Sequence, residues 1–236
     1  MVKYLQKIMK KLNNIYVIHY TKLINRKQYL QDKFKQLNID VNWVTGFDRE
    51  NVTNQQVERF YKFDPSYTDI HINPITGEPP IRPLRLPEIC CLMSHYYCIE
   101  EQVKNNYEYI LILEDDVIFE NDAFIKVNNI LNNLPDDCDI CYLGSGCGLK
   151  PNNIIDGKIF YETSFGVKAA DSMIFNLKAA NFLLNKKTQI HRPIDYHINT
   201  FRNDLKIYWI EPSIFTQGSQ IGIYNTAVQL FDHIWI

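Results

Sequence analysis

Three consecutive acids, Glu114-Asp115-Asp116, follow the apolar run YILIL at residues 109–113. Adjacent carboxylates repel, and each raises its neighbour's cost of ionising. A divalent cation reverses that repulsion, and a diphosphate sharing the cation completes its oxygen coordination. In an extended segment residues 114 and 116 point the same way, so Glu114 and Asp116 can face one ion while Asp115 turns aside. The competing reading is a set of solvated acids opening a turn, with Asn121 and Asp122 near the start of the next helix. An acid pocket for phosphoryl transfer is a third reading. It calls for a lysine or threonine at a later strand end, and the sequence offers no convincing candidate.

Other residues carry chemistry less specifically. Arg26 follows the first apolar run and can approach a phosphate or ribose bidentately, or make a surface ion pair. Ser94 and His95 lie beside an apolar helix face, where a satisfied structural group is the commoner outcome than a ligand contact. Tyr208, Trp209 and Trp235 suit a core as well as a sugar face. The six cysteines stand at 90, 91, 98, 138, 141 and 147. Cys138 and Cys141 form a C-x-x-C, but Cys90 and Cys91 are adjacent and cannot supply the second pair of a structural zinc site. Buried free thiols in a reducing compartment are expected.

The elements that position these residues alternate. Residues 15–20 (IYVIHY) predict a buried strand. Leu23, Leu30, Phe34 and Leu37 predict a helix, and residues 41–44 a second strand, giving a βαβ opening and a parallel sheet. Six of the ten prolines (Pro65, Pro74, Pro79, Pro80, Pro83 and Pro87) fall in residues 64–87, which excludes helix or central strand there. That stretch is expected to be a lid or acceptor loop, or a static loop packed on the domain. Helical spacing returns from Glu88 to Val103, and residues 109–113 form the clearest strand. A helix through Phe124 and Leu134 follows, then strands near 139–143, 158–163, 172–176 and 206–210, with helices near 178–184 and 195–203. The expectation is a single α/β domain over residues 1–236, with residues 1–14 as an N-terminal helix or extension.

Composition narrows the partners. A hydrophobic fraction of 46% with 13% aromatics supports a packed core, and a net charge of −2 gives no support to a nucleic-acid partner. No stretch approaches the roughly 20 apolar residues of a membrane span. The N-terminal start interleaves Lys3, Lys7, Lys10 and Lys11 with apolar residues but has no signal-like apolar run. The location expected is cytoplasmic, with peripheral membrane association as the alternative use of that basic start.

The stretch EICCLMSH at residues 88–95, followed by YILILEDDVIFE at 109–120, resembles the core of glycosyltransferase family 25. That family includes lipooligosaccharide and collagen hydroxylysine galactosyltransferases. The opening IYVIHYTKLINRKQYL with Arg26, the segment VTGFD ending at Asp48, Pro193-Ile194-Asp195, Glu211-Pro212 and Gln217-Gly218-Ser219 resemble its other motifs. Pro87 and Cys90 stand where the family usually has glycines. The resemblance implies a GT-A type fold, with a Rossmann-like, mostly parallel sheet flanked by helices. It also implies a uridine-diphosphate sugar donor, a divalent cation such as Mn2+, a glycan or glycoconjugate acceptor and inversion at the anomeric carbon. It assigns Asp195 as general base, although a helix-start acid is locally as good a reading. Arg26, Asp48 and Asp115 become donor-binding residues, and Glu114, Asp116 and Gln217 metal ligands, with His233 as the alternative third ligand. A metal-dependent phospho- or nucleotidyltransferase and a sugar-binding module without turnover remain the rival readings.

Overall fold

In the computed structural model we describe residues 10–63, 83–162, 168–187 and 190–225. Residues 64–82 of the proline-rich stretch, together with His233 and Trp235, lie outside that set, as do residues 1–9.

The βαβ opening forms as its pattern predicts. Strand β1 (Asn14–Ile18) leads into helix α1 (Ile24–Leu37), and β2 (Asn42–Val44) returns parallel to β1 with Ile18 opposite Val44. Arg26, Leu30 and Phe34 repeat every four residues and form the buried face of α1. The helix stops at Asn38, whose φ of 53° is left-handed and returns its N–H to the carbonyls of Phe34 and Lys35. A short α2 (Asn54–Glu58) starts with a capping box between Thr53 and Gln56. Helix α3 (Leu86–Lys104) starts where the prolines end. Pro87 sits in its first turn, where no backbone donor is needed, and Glu88 accepts the Arg85 N–H at 2.8 Å.

Strand β3 (Tyr109–Glu114) carries the acids into the short β4 (Val117–Ile118), followed by α4 (Ala123–Asn133) and β5 (Ile140–Tyr142). The rest is β6 (Phe160–Glu162), β7 (Ser172–Asn176), α5 (Leu177–Lys186), α6 (Ile194–Asn199), β8 (Ile207–Ile210) and β9 (Thr216–Gln217). Seven strands form one sheet in the order β2-β1-β3-β7-β5-β8-β6. Strands β1, β2, β3, β5 and β8 share a direction, whereas β7 runs antiparallel between β3 and β5, and β6 antiparallel on the far edge. The sheet is therefore mixed and mostly parallel.

Alternation along β3 splits the interior into two layers. Ile110 and Ile112 pack with Leu92 and Met93 of α3, Leu183 of α5 and Ile198 of α6. Leu111 and Leu113 face the other way, onto Leu30 and Phe34 of α1 and Phe124 and Leu131 of α4. Helices thus cover both faces. Each such buried aliphatic side chain stabilises by about 1.5–3 kcal/mol, and Leu111→Ala would cost about 2–5 kcal/mol through the cavity it leaves. Among the described residues no helix is long and apolar enough to cross a membrane.

The ribbon of β4 with β9 is the one element pair that periodicity does not predict. Its register places Val117 opposite Gln217 and ties the 216–219 segment to the acids. Gly218 permits this approach. A Cβ there would lie 2.9 Å from the Asp116 carbonyl oxygen and 2.7 Å from the Tyr224 ring. In its place the Gly218 N–H donates to that carbonyl at 2.7 Å.

Candidate functional site

Strands β1 and β3 are adjacent and parallel, with Ile18 beside Glu114, so the residues that follow them emerge together. They open into a cleft of about 140 Å³. Phe47, Asp48 and Arg49, just after β2, form one wall, and Cys90, Cys91 and Ser94 of α3 form another; Gln217 of β9 and Ser219 just after it close the cleft. This is the crevice beyond strand carboxyl ends where open α/β sheets hold ligands.

Asp115 turns aside from its neighbours and is pinned, although residues 115 and 116 form a turn after β3 rather than the extended segment expected. Its Oδ1 accepts from Arg26 Nη1 at 2.6 Å, and its Oδ2 meets His19 Nδ1 at 2.8 Å and the Tyr20 N–H at 3.2 Å. Arg26, on the buried face of α1, also reaches the Asn225 carbonyl and lies over the Tyr224 ring. It makes no surface ion pair; its guanidinium is buried and holds the acid loop to the start of α1.

Glu114 and Asp116 are treated differently. Glu114 keeps 21% of its side chain exposed to the cleft. Burial raises its pKa well above the usual carboxylate range, and the charges of Asp116 and Asp171 add to the rise. Asp116 Oδ2 accepts from Ser219 Oγ at 2.5 Å, while its Oδ1 is buried with no hydrogen-bond partner. Burial raises the Asp116 pKa too, against the opposing pull of Ser219, of Arg26 at 4.0 Å and of the Gln217 side chain. Gln217 Oε1 is likewise buried without a partner. Unmatched buried acceptors are uncommon in folded proteins and each lacks the bond that would repay its desolvation. Oxygen donors of this kind suit a hard divalent cation.

Asp171, which the sequence did not single out, completes the acidic group. Its carbonyl accepts the Glu114 N–H at 2.8 Å, its side chain is fully buried and its Oδ1 has no partner. Burial, aided by the Asp116 charge, pushes its pKa up to about 8. Gly144 makes room for it, since a Cβ there would sit 2.2 Å from Asp171 Oδ2.

The remaining expected residues are distributed as follows. Asp48 lines the cleft, and both its oxygens accept from Thr21, through the backbone N–H and the hydroxyl. Asp195 opens α6 and accepts the Tyr196 N–H at 2.9 Å. It is outside the cleft lining but close enough for its charge to raise the pKa of the cleft thiol Cys91 and of Tyr142. His95 is fully buried and both ring nitrogens face backbone carbonyls, of Cys91 at 3.0 Å and Ala170 at 3.4 Å. Burial pushes its pKa down to about 4, so the ring is neutral. Ser94 lines the cleft and donates to the Cys90 carbonyl. Trp209 is core, and Tyr208 donates to Asp137 on the surface. Cys90, Cys91, Cys98, Cys138 and Cys141 are free thiols.

A model of "Glycosyltransferase family 25 (LPS biosynthesis protein)" matches residues 12–198, most of the chain. The chain belongs to glycosyltransferase family 25. Its relatives in the family include a "Glycosyltransferase 25 family member" of Aedes aegypti, 31% identical over 110 residues, or 46% of this chain and 17% of the relative. "Procollagen galactosyltransferase 2" of Homo sapiens is 25% identical over 136 residues, 56% of this chain and 20% of that protein. The matched stretch is thus about a fifth of each relative's length. A crystal structure of a glycosyltransferase involved in glycosylation of the major capsid of PBCV-1 aligns with a TM-score of 0.47 at 8% identity, covering 86% of this chain and 91% of that one. The mixed, mostly parallel sheet between helical layers agrees with the GT-A-like arrangement expected of a family 25 chain.

Three site residues and one buried lysine gave little or no signal in the sequence. His19 was legible only as the last polar residue of an apolar strand, and Ser219 only as part of a motif. Asp171 and Lys168 gave no signal. Lys168 is 1% exposed, donates to the Gly144 carbonyl at 2.9 Å and lies over the Trp209 ring. It is spent on the backbone, not offered to a phosphate.

Proposed function

We propose that the chain is an inverting glycosyltransferase that moves a sugar from a uridine-diphosphate sugar to a hydroxyl of a glycan or glycosylated acceptor, with a divalent cation such as Mn2+. The observation that carries this reading is the pair of unmatched buried oxygens, Asp116 Oδ1 and Gln217 Oε1, beside Glu114 in a cleft at the strands' carboxyl ends. Glu114, Asp116 and Gln217 would hold the cation, which when bound supplies positive charge to the departing diphosphate. Arg26, Asp48 and Asp115 serve donor binding by fixing the cleft. A carboxylate accepts about four hydrogen bonds, so Asp48 and Asp115 retain lone pairs for ribose or base donors. Arg26 lines the cleft and would bring positive charge to a bound donor. Asp195 takes the proton of the acceptor hydroxyl as its oxygen attacks the anomeric carbon and the bond to the diphosphate breaks. Its half-buried place at the start of α6, within electrostatic reach of Cys91, supports that role.

A screen of nucleotide sugars with manganese, following nucleotide release, tests the reading. Release of uridine diphosphate is expected. Phosphate or pyrophosphate release would instead favour a phosphotransferase, and saturable binding without turnover a sugar-binding module.

A further inference from the structure

Helix α3 carries Cys91 and His95 one turn apart, and both approach Glu114 at the end of β3. Cys91 Sγ lies 3.3 Å from Glu114 Oε1 and 3.6 Å from His95 Nδ1, and His95 Nε2 lies 4.0 Å from Glu114 Oε1. One ligand atom from each side chain falls within 4.8 Å of the other two, and among the described residues no other cluster of His, Cys, Asp and Glu does so. Sulfur, imidazole nitrogen and carboxylate oxygen are the donor types of a zinc-type site, whereas the oxygen set of Asp116 and Gln217 suits manganese or magnesium.

The histidine supplies an independent indication. Its shorter bond, Nδ1 to the Cys91 carbonyl, is the outer contact that metal-bound imidazoles commonly make. A neutral ring has one N–H, so when Nδ1 donates to the Cys91 carbonyl Nε2 keeps its lone pair, 4.0 Å from Glu114 Oε1. That lone pair is free to meet a cation, and Cys91 and Glu114 line the open cleft, giving it a way in.

We propose that Cys91, His95 and Glu114 form a second cation site, selective for thiophilic divalent ions of the zinc class. Binding replaces the Cys91 thiol proton and any proton held on Glu114, both leaving to solvent, so at least one proton is released per ion bound. The binding claim stands apart from the transferase reading. Its consequence rests on that reading: an ion here engages Glu114 and so removes a carboxylate from the oxygen set, making zinc an inhibitor of transfer.

Cobalt(II) is the probe. Titrated into the full chain without nucleotide, it is expected to give a thiolate-to-cobalt charge-transfer band that saturates at one ion per chain. Cys91→Ser should abolish the band and Asp116→Asn should retain it, with circular dichroism verifying that both variants fold. His95→Gln should weaken cobalt binding about 10-fold or more, in line with loss of one ligand of three. No band in the wild type, or a band that survives Cys91→Ser, would overturn the proposal. In excess manganese, zinc inhibition of transfer should be at least about 10-fold weaker in Cys91→Ser than in wild type. Equal inhibition would show that zinc acts elsewhere. The cobalt result is read even in a chain that transfers no sugar, so the two claims fail separately.

Discussion

Asp139, just before β5, and Asp116, just after β3, are buried aspartates at opposite ends of the sheet, and the fold treats them in opposite ways. Asp139 is 2% exposed and accepts from the Lys206 N–H at 3.0 Å, Asn176 Nδ2 at 3.1 Å and Lys178 Nζ at 2.9 Å. Asp116 is 4% exposed and has one oxygen on Ser219 and one on nothing. Near it, Asp171 is also buried with an unmatched oxygen, and no lysine donates to either carboxylate among the bonds described. The same residue type is a structural tie where its bonds are complete and, on the reading proposed above, a ligand site where they are not. Local departures from good bonding of this kind concentrate where function is placed.

If that contrast is right, variants at the carboxyl end should cost activity and spare the fold, and variants at the amino end the reverse. Asp195→Asn should have the largest effect. It keeps the side chain's size but cannot take a proton, so turnover should fall by roughly 10²–10⁴-fold with donor binding little changed. Turnover near the wild-type rate would reduce Asp195 to a helix-start acid.

Asp116→Asn should come next, raising the manganese concentration needed for half-maximal activity by roughly 100-fold. Its melting temperature should match or exceed that of wild type in chelator, because one of several crowded acids is neutralised. A variant that melts lower and needs no more manganese would place Asp116 with the structural acids.

Asp139→Ala is the converse. It strands the Lys206 N–H and Asn176 amide, which should destabilise the fold by about 2 kcal/mol, roughly 30-fold in the folding equilibrium, as read by denaturant titration. Activity per folded molecule should be unchanged.

The smallest effect is in pH dependence. Burial pushes Asp171 up to about 8, whereas an unfolded aspartate titrates near about 4. Between those values the folded chain keeps a proton that the unfolded chain has lost, so this group makes stability fall as pH rises through the window. Asp171→Asn should remove that slope. In chelator, its melting temperature relative to wild type should be higher at pH 8 than at pH 4. Parallel profiles for the two proteins would mean that Asp171 is not held protonated.

Much of this was legible in the sequence because periodicity speaks for packing. The βαβ opening, β3, α4 and the 172–176 strand followed from apolar spacing, and Glu114-Asp115-Asp116 stood out because three acids end an apolar run. Asp115 does leave the other two, but through a turn after β3 rather than by strand alternation. Strand direction was not legible: nothing in residues 172–176 says that β7 runs against β3 and β5. The two-residue β4 and β9 are too short to show a period, and only Gly218 marks the close approach that joins them. Asp171 and His19 were hidden for a related reason. Each is a single polar residue bordering an apolar strand, and its meaning comes from a partner nearly 60 or more residues away in the chain.

The most direct measurement is calorimetric binding of uridine diphosphate to the wild-type chain, with manganese and in excess chelator. The clustered oxygens of Glu114, Asp116 and Gln217 repel a diphosphate unless a cation lies between them. Saturable binding with manganese and none in chelator is therefore expected. Equal affinity in both conditions would contradict the assignment of these residues to a cation and return the acids to the fold.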